Sequence, residues 1–262
     1  MRDSPQMQRV FSMVAVLRDL LADRPESGIQ VLPRDVERLI TYGLEIPIKR
    51  MLPLTIRGAF RYLCILDGKR FRGLATSVAD RPLYGLLHIG PPCNLIFIRD
   101  GLSPQVHNYV LAHELGHFLA DVFRVQQLWL RSLPEQKEAI ERAFAWRECD
   151  ARLELYALIK GLPPRPKPIL SRGQAISPET VEREIQADLF ARELIAPWEV
   201  VAPLMQSHDR AQLVTLLYEE FRLPRRIAED YIEDLRRYLA PQPNAIAMLF
   251  STLLAPADKR RQ

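Results

Sequence analysis

Three features of the sequence predict an α+β fold. Apolar residues recur at helical spacing near both ends of the chain, at Val10, Val14, Leu17 and Leu21 and again at Leu213, Leu216, Leu217 and Phe221. Between Leu44 and Asp100 that period gives way to short apolar runs punctuated by glycine and proline. A helical pattern then resumes at Val110 and carries two histidines four positions apart, His113 and His117. The prediction is a small sheet packed on a helical core, followed by a C-terminal helical segment. With 262 residues, 48% hydrophobic and 26% charged, the chain can bury such a core as one compact unit or two small ones.

Taken in order, Gln6 to Ala22 reads as an amphipathic helix. Pro33 at a helix start and Asp35 in its first turn open the next, which ends near Gly43. Four runs then read as short strands of one antiparallel or mixed sheet: Ile46-Pro47-Ile48, Tyr62 to Leu66, Tyr84 to Ile89 and Asn94 to Ile98. Asp67-Gly68 and Asp100-Gly101 supply the turns. A charged helical stretch from about Glu135 to Lys160 and a proline-rich loop, Pro163 to Pro168, read as an inserted arm over about 135–170; prolines at this density cannot form helix. The helix from Glu182 to Ala196 is capped by Ser177-Pro178-Glu179 and stopped by Pro197. Residues 1–205 form the expected main domain and 206–262 a C-terminal segment, broken at Leu223-Pro224 before Ile227, Tyr231 and Leu235 resume a stripe.

The most specific pattern is His113-Glu114-Leu115-Gly116-His117. Histidines at i and i+4 lie one above the other on a helix face and can share one ion. Zinc takes neutral imidazole nitrogens, and a catalytic zinc keeps one position open for water. Glu114 would lie beside that water, where a carboxylate can take a proton and later hand it to a leaving amine.

A third ligand must come from elsewhere. Glu184, Ala187, Asp188 and Ala191 share one face of the Glu182–Ala196 helix. Two carboxylates among small alanines can approach another helix closely, which suits Glu184 as ligand and Asp188 as the acceptor of an N–H from a ligating histidine. Glu148, in Glu148-Cys149-Asp150-Ala151, is the rival, and Glu182 and Glu193 stand behind it.

H-E-L-G-H followed by E-x-x-A-D-x-F-A-x-x-L-I-x-P resembles the ImmA/IrrE family of zinc metallopeptidases, through Glu184, Ala187, Phe190, Ala191, Leu194 and Pro197. Leu32 to Ile40 is similar to that family's opening helix, and Leu86, His88, Ile89 and Leu95 to Ile98 to its paired strands. The chain departs at Asp188, where Asn is common, at Ala196, where Met is common, and in the long connection between His117 and Glu184. The resemblance implies a zincin-like core and a gluzincin-like endopeptidase, with Zn²⁺ or Mn²⁺ held by His113, His117 and Glu184. The implied partner is a helix-turn-helix transcriptional repressor, cut at one site in a stress-response or mobile-element circuit.

An oxyanion donor is also expected, from His208, Tyr109 or Tyr218; His88 reads as an ordinary strand residue and His107 as an exposed helix residue. The strand Cys93 to Ile98 either offers a free edge to an extended peptide or lies buried in the sheet centre. Arg222, Arg225, Arg226, Arg236 and Arg237 could touch phosphates, and the family commonly carries a helix-turn-helix-like segment here. No base-reading set stands on the second helix, however, so a cap on the main domain is expected rather than a DNA reader.

No run is long and apolar enough for a membrane span, Asn244 to Pro256 included, and the N-terminus lacks the marks of an export signal. Three cysteines, Cys64, Cys93 and Cys149, without C-x-x-C spacing read as reduced thiols. A cytoplasmic protein is expected. The net charge of +4 and pI of about 9.0 permit nucleic-acid contact without arguing for it. The alternative from another class is a regulatory DNA- or protein-binding module with a structural metal site; an intact Glu114 argues against it.

Overall fold

A computed structural model describes residues 5–66, 68, 82–89, 94–123, 129–138 and 178–239 of the chain. Helix α1 (Pro5–Leu20) buries Met7, Val10, Val14 and Leu17, the stripe that its helical spacing dictates. The short helix α2 (Val36–Arg38) starts later than expected and widens into a π-helical turn, Leu39–Gly43. Pro33 lies outside it. Asp35 is its cap rather than part of its first turn: the Asp35 carboxylate accepts the Arg38 N–H at 3.1 Å.

The sheet is mixed and has three strands, β1 (Ile48–Met51), β2 (Gly85–His88) and β3 (Leu95–Arg99), in the order β1-β3-β2. β3 runs parallel to β1 and antiparallel to β2. Its side chains alternate as the pleat requires: Ile96 and Ile98 enter the main core, Leu95 and Phe97 a smaller cluster on the other face. β3 is therefore central. Of the two readings of the Cys93–Ile98 strand, the buried centre holds and the free edge does not, and the outer strands of the described sheet are β1 and β2.

The expected strand at Tyr62–Leu66 is a helix, α3 (Ile56–Leu66). Thr55 Oγ1 accepts the Gly58 N–H at 3.0 Å at its start. Ala59 and Leu63, one turn apart, are buried against Leu95 and Phe97, whereas Ile65 is 67% exposed. Five apolar residues in a row satisfy either period, and the upstream Ala59 decides for the helical one. Asp67 lies outside the described residues, and Gly68 follows α3 rather than joining two strands. Asp100-Gly101 likewise turns β3 into helix α4 (Pro104–Phe118), with Gly101 at φ +77°.

Ser103 caps α4, which buries Leu111, Ala112, Leu115 and Phe118 and ends in a second π-helical turn, Leu119–Phe123. Asn108 on α4 accepts the Val36 N–H at 2.9 Å and donates to the Arg34 carbonyl at 3.2 Å, fixing α2 to α4. Helix α5 (Pro178–Ile195) packs along α4 and stops before Pro197. α1 lies against α5 as well, with Arg9 and Glu182 paired at 3.1 Å.

Helices α6 (Trp198–Leu204), α7 (Arg210–Glu219) and α8 (Arg225–Leu239) follow. Asp209 and Gln212 form a reciprocal capping box on α7, and Leu223-Pro224 separates α7 from α8. Leu213, Leu217, Tyr231 and Leu235 join the same buried cluster as α1, α4 and α5, and the Tyr231 hydroxyl donates to the Ala196 carbonyl at 2.9 Å. No helix among the described residues is long and apolar enough to cross a membrane. Most of the expected arm over 135–170, Glu148 within it, and Asn244 to Pro256 lie outside the described residues.

Candidate metal centre

The crossing of α4 and α5 is made by two small residues. A Cβ placed on Gly116 would lie 3.1 Å from the Ala187 Cα and 3.1 Å from Phe190 Cδ1. Ala187 and Ala191 are buried in that seam. The backbones therefore approach closely enough for short side chains to meet across it, and His113, His117 and Glu184 do so.

His113 Nε2 lies 3.1 Å from His117 Nε2 and 3.5 Å from Glu184 Oε2, and His117 Nε2 lies 3.7 Å from Glu184 Oε1. Four tetrahedral bonds of about 2.0–2.1 Å put neighbouring ligand atoms about 3.3–3.4 Å apart. The separations are of that order, with each imidazole facing a different oxygen of Glu184, and one ligand atom from each residue lies within 4.8 Å of the others, so this donor set could hold one metal ion. Behind it, His113 Nδ1 lies 2.8 Å from Asp188 Oδ1. A carboxylate can only accept, so Nδ1 carries the proton and Nε2 of a neutral ring turns its lone pair inward. Two imidazole nitrogens and a carboxylate aimed at one point need positive charge between them.

A proton on His113 would meet the same need. Burial works against a charged His113, but the Asp188 and Glu184 carboxylates outweigh it and raise its pKa to about 10. Burial, then the charge on His113, lowers His117 to about 4. Burial would raise Asp188, yet its hydrogen bond with His113 wins and holds it below the usual carboxylate range. For Tyr109, burial and the adjacent Asp188 charge both push the hydroxyl up.

Glu114 is buried, 8% exposed, on the side of α4 that faces β2. A Cβ on Gly85 would stand 2.6 Å from Glu114 Oε1 and 2.6 Å from Val110 Cγ1. The carboxylate thus occupies space that only glycine in β2 leaves open.

No family model, curated protein or solved structure matches the chain.

The structure brings together His113, His117, Glu184 and Asp188. His208 keeps to its own loop, with Nδ1 2.9 Å from Ser207 Oγ and 3.1 Å from the Leu204 carbonyl. The Tyr109 hydroxyl donates to Asp188 at 3.0 Å, behind the ligands. Tyr218 stacks beneath Arg225, 4.8 Å from ring centre to guanidinium. Glu182 pairs with Arg9, and Glu193 accepts the Trp198 N–H at 3.0 Å. Sequence reasoning missed Gly85, Gly116 and Arg192. A lone glycine within a strand pattern signals close backbone approach, and Arg192 stands one turn beyond Asp188 on the same helix face.

Proposed function

We propose that the protein is a zinc-dependent endopeptidase in which His113, His117 and Glu184 hold the metal and Glu114 is the general base. The observation that carries this reading is the convergence of His113 Nε2, His117 Nε2 and Glu184 on one point, with Glu114 buried next to it in the sequence of the same helix. A bound zinc supplies Lewis acidity that polarises a peptide carbonyl and makes water more acidic. Glu114 then takes the proton of the attacking water and delivers it to the leaving amine. Asp188 holds His113 in the tautomer that points Nε2 inward.

The substrate is a polypeptide in extended form. β2 is an outer strand of the described sheet and carries Gly85 against Glu114, so a peptide added alongside β2 would lie next to the strand that packs on the proposed base. By the motif resemblance, the physiological substrate is a helix-turn-helix transcriptional repressor in the cytoplasm, and its cleavage relieves repression under stress or in mobile-element transfer. Mn²⁺ would suit the same ligand set.

The test compares zinc-loaded protein with Glu114→Gln on a complex protein mixture, with new N-termini identified by mass spectrometry. Glutamine can hydrogen-bond water but cannot accept its proton at neutral pH. New termini at a defined sequence are expected with the parent protein, lowered roughly 10²–10⁴-fold in rate by the substitution. Equal cleavage by both proteins, or none by either, contradicts the proposal.

A further inference from the structure

Asp188 does not stand alone behind His113. The Oδ1 atom that faces His113 Nδ1 at 2.8 Å also accepts the Tyr109 hydroxyl at 3.0 Å. The Arg192 guanidinium charge bears on that hydroxyl and on Asp188 itself. Arg192 Nη1 lies 2.8 Å from Asp234 Oδ2 on α8, and Arg237 lies 3.6 Å from the other oxygen of Asp234. Tyr109 sits one turn before His113 on α4, and Arg192 one turn after Asp188 on α5. The array therefore runs along the α4–α5 seam from a metal ligand to the C-terminal helix.

Its members differ in what they can do alone. The Asp188 side chain is 45% exposed and, with one partner, would be free to rotate toward water. Tyr109 is 9% exposed and the Arg192 side chain 13%, so the groups that restrain Asp188 are themselves held in place and weakly screened.

We infer that Tyr109 and Arg192 are positioning residues that hold Asp188 against His113, and that α8, through Asp234, completes this outer shell of the metal centre. The inference rests on the metal-binding part of the proposed function and not on peptide hydrolysis. Its consequence is that the C-terminal helices tune the metal site: whatever draws Asp234 from Arg192 loosens the carboxylate that orients His113.

The experiment measures Zn²⁺ affinity by competition with a chromogenic chelator, and the visible spectrum of the Co²⁺ form. It uses the full chain carrying Tyr109→Phe, Asp234→Asn or Asp188→Asn, and the two pairs that include Asp188→Asn. Tyr109→Phe removes one oxygen and Asp234→Asn alters a partly exposed side chain, so both should fold; circular dichroism checks this. Outer-shell carboxylates typically contribute about 10–100-fold to metal affinity, which is the loss expected for Asp188→Asn. Tyr109→Phe and Asp234→Asn should each weaken binding by a smaller factor, about three- to tenfold. Each should also shift the Co²⁺ bands and add no further loss when Asp188 is already Asn. A merely structural role would give additive losses and an unchanged spectrum. Parent-like affinity and spectrum in both single variants overturn the inference alone. Absence of metal binding by the parent protein overturns the metal site and the inference with it.

Discussion

Gly85 and Glu114 share one small volume: a side chain on the strand residue would stand 2.6 Å from the carboxylate oxygen of the helix residue. The sheet thus sets the position of the proposed base, while the α4–α5 crossing sets the position of the ligands. The two functions of the H-E-x-x-H helix rest on different neighbours and can be disturbed separately.

Gly85→Ala should displace Glu114 and leave the three ligand residues in place. Over-packing of this kind costs about 1–3 kcal/mol, partly relieved if Glu114 and Val110 rotate away. Expected are near-normal zinc content and a rate of peptide cleavage lowered by about tenfold or more, since a misplaced base loses its proton-transfer geometry. Zinc analysis beside turnover separates the two; parallel loss of metal and activity would contradict the division.

Gly116→Ala acts on the other neighbour. Alanine favours the helix by about 0.8–1 kcal/mol, but its Cβ would meet the Ala187 backbone and Phe190 at 3.1 Å. Backbone cannot swing aside as a side chain can, so over-packing of about 1–3 kcal/mol should exceed the propensity gain. The expected result is lower apo-protein stability in urea and weaker zinc binding, because Glu184 moves off with α5. A gain in both would show that the crossing has slack.

Much of this centre is legible in the sequence, because it rests on i, i+4 spacing. His113 and His117, and Glu184 and Asp188, need only a regular helix to be placed, and alanines at 187 and 191 announce a close crossing. Strand order was not legible. The continuous apolar run of Leu95 to Ile98 fits a strand buried on both faces, but nothing local says which neighbours flank it. Tyr62 to Leu66 misleads for a related reason: a run of five apolar residues carries no period of its own, and its helical character depends on Ala59 and on Thr55 at the helix start. Tyr109 and Arg192 are on visible helix faces, yet their meeting at Asp188 depends on how the two helices cross.

Glu193 gives the protein a pH dependence that has nothing to do with the metal. Burial raises its carboxyl to about 7 from 4.5, against the opposing pull of the Trp198 N–H, Arg18 and Arg34. A raised folded-state pKa means the folded protein binds the proton more tightly than the unfolded chain. The associated stability is complete below about pH 4.5 and is lost progressively up to about pH 7, on the order of 3 kcal/mol in all. In Glu193→Gln the amide oxygen still accepts the Trp198 N–H and nothing ionises. His113 and His117 titrate in both proteins, so the prediction concerns the difference between them: the variant's urea midpoint should exceed the parent's at pH 8 and match it more closely at pH 5; a larger loss in the variant at pH 8 than at pH 5 would mean that ionised Glu193 is net stabilising.

The central claim is that His113, His117 and Glu184 form one metal site across the α4–α5 seam. Its most direct test is the zinc content of the purified full chain after equilibration with Zn²⁺ and removal of free metal, with His117→Ala and Glu184→Ala alongside. About one zinc per parent chain, lost or sharply reduced in both variants while their helical content stays unchanged, is the predicted result. Full zinc retention by Glu184→Ala would contradict the account, because the third ligand would then lie outside α5.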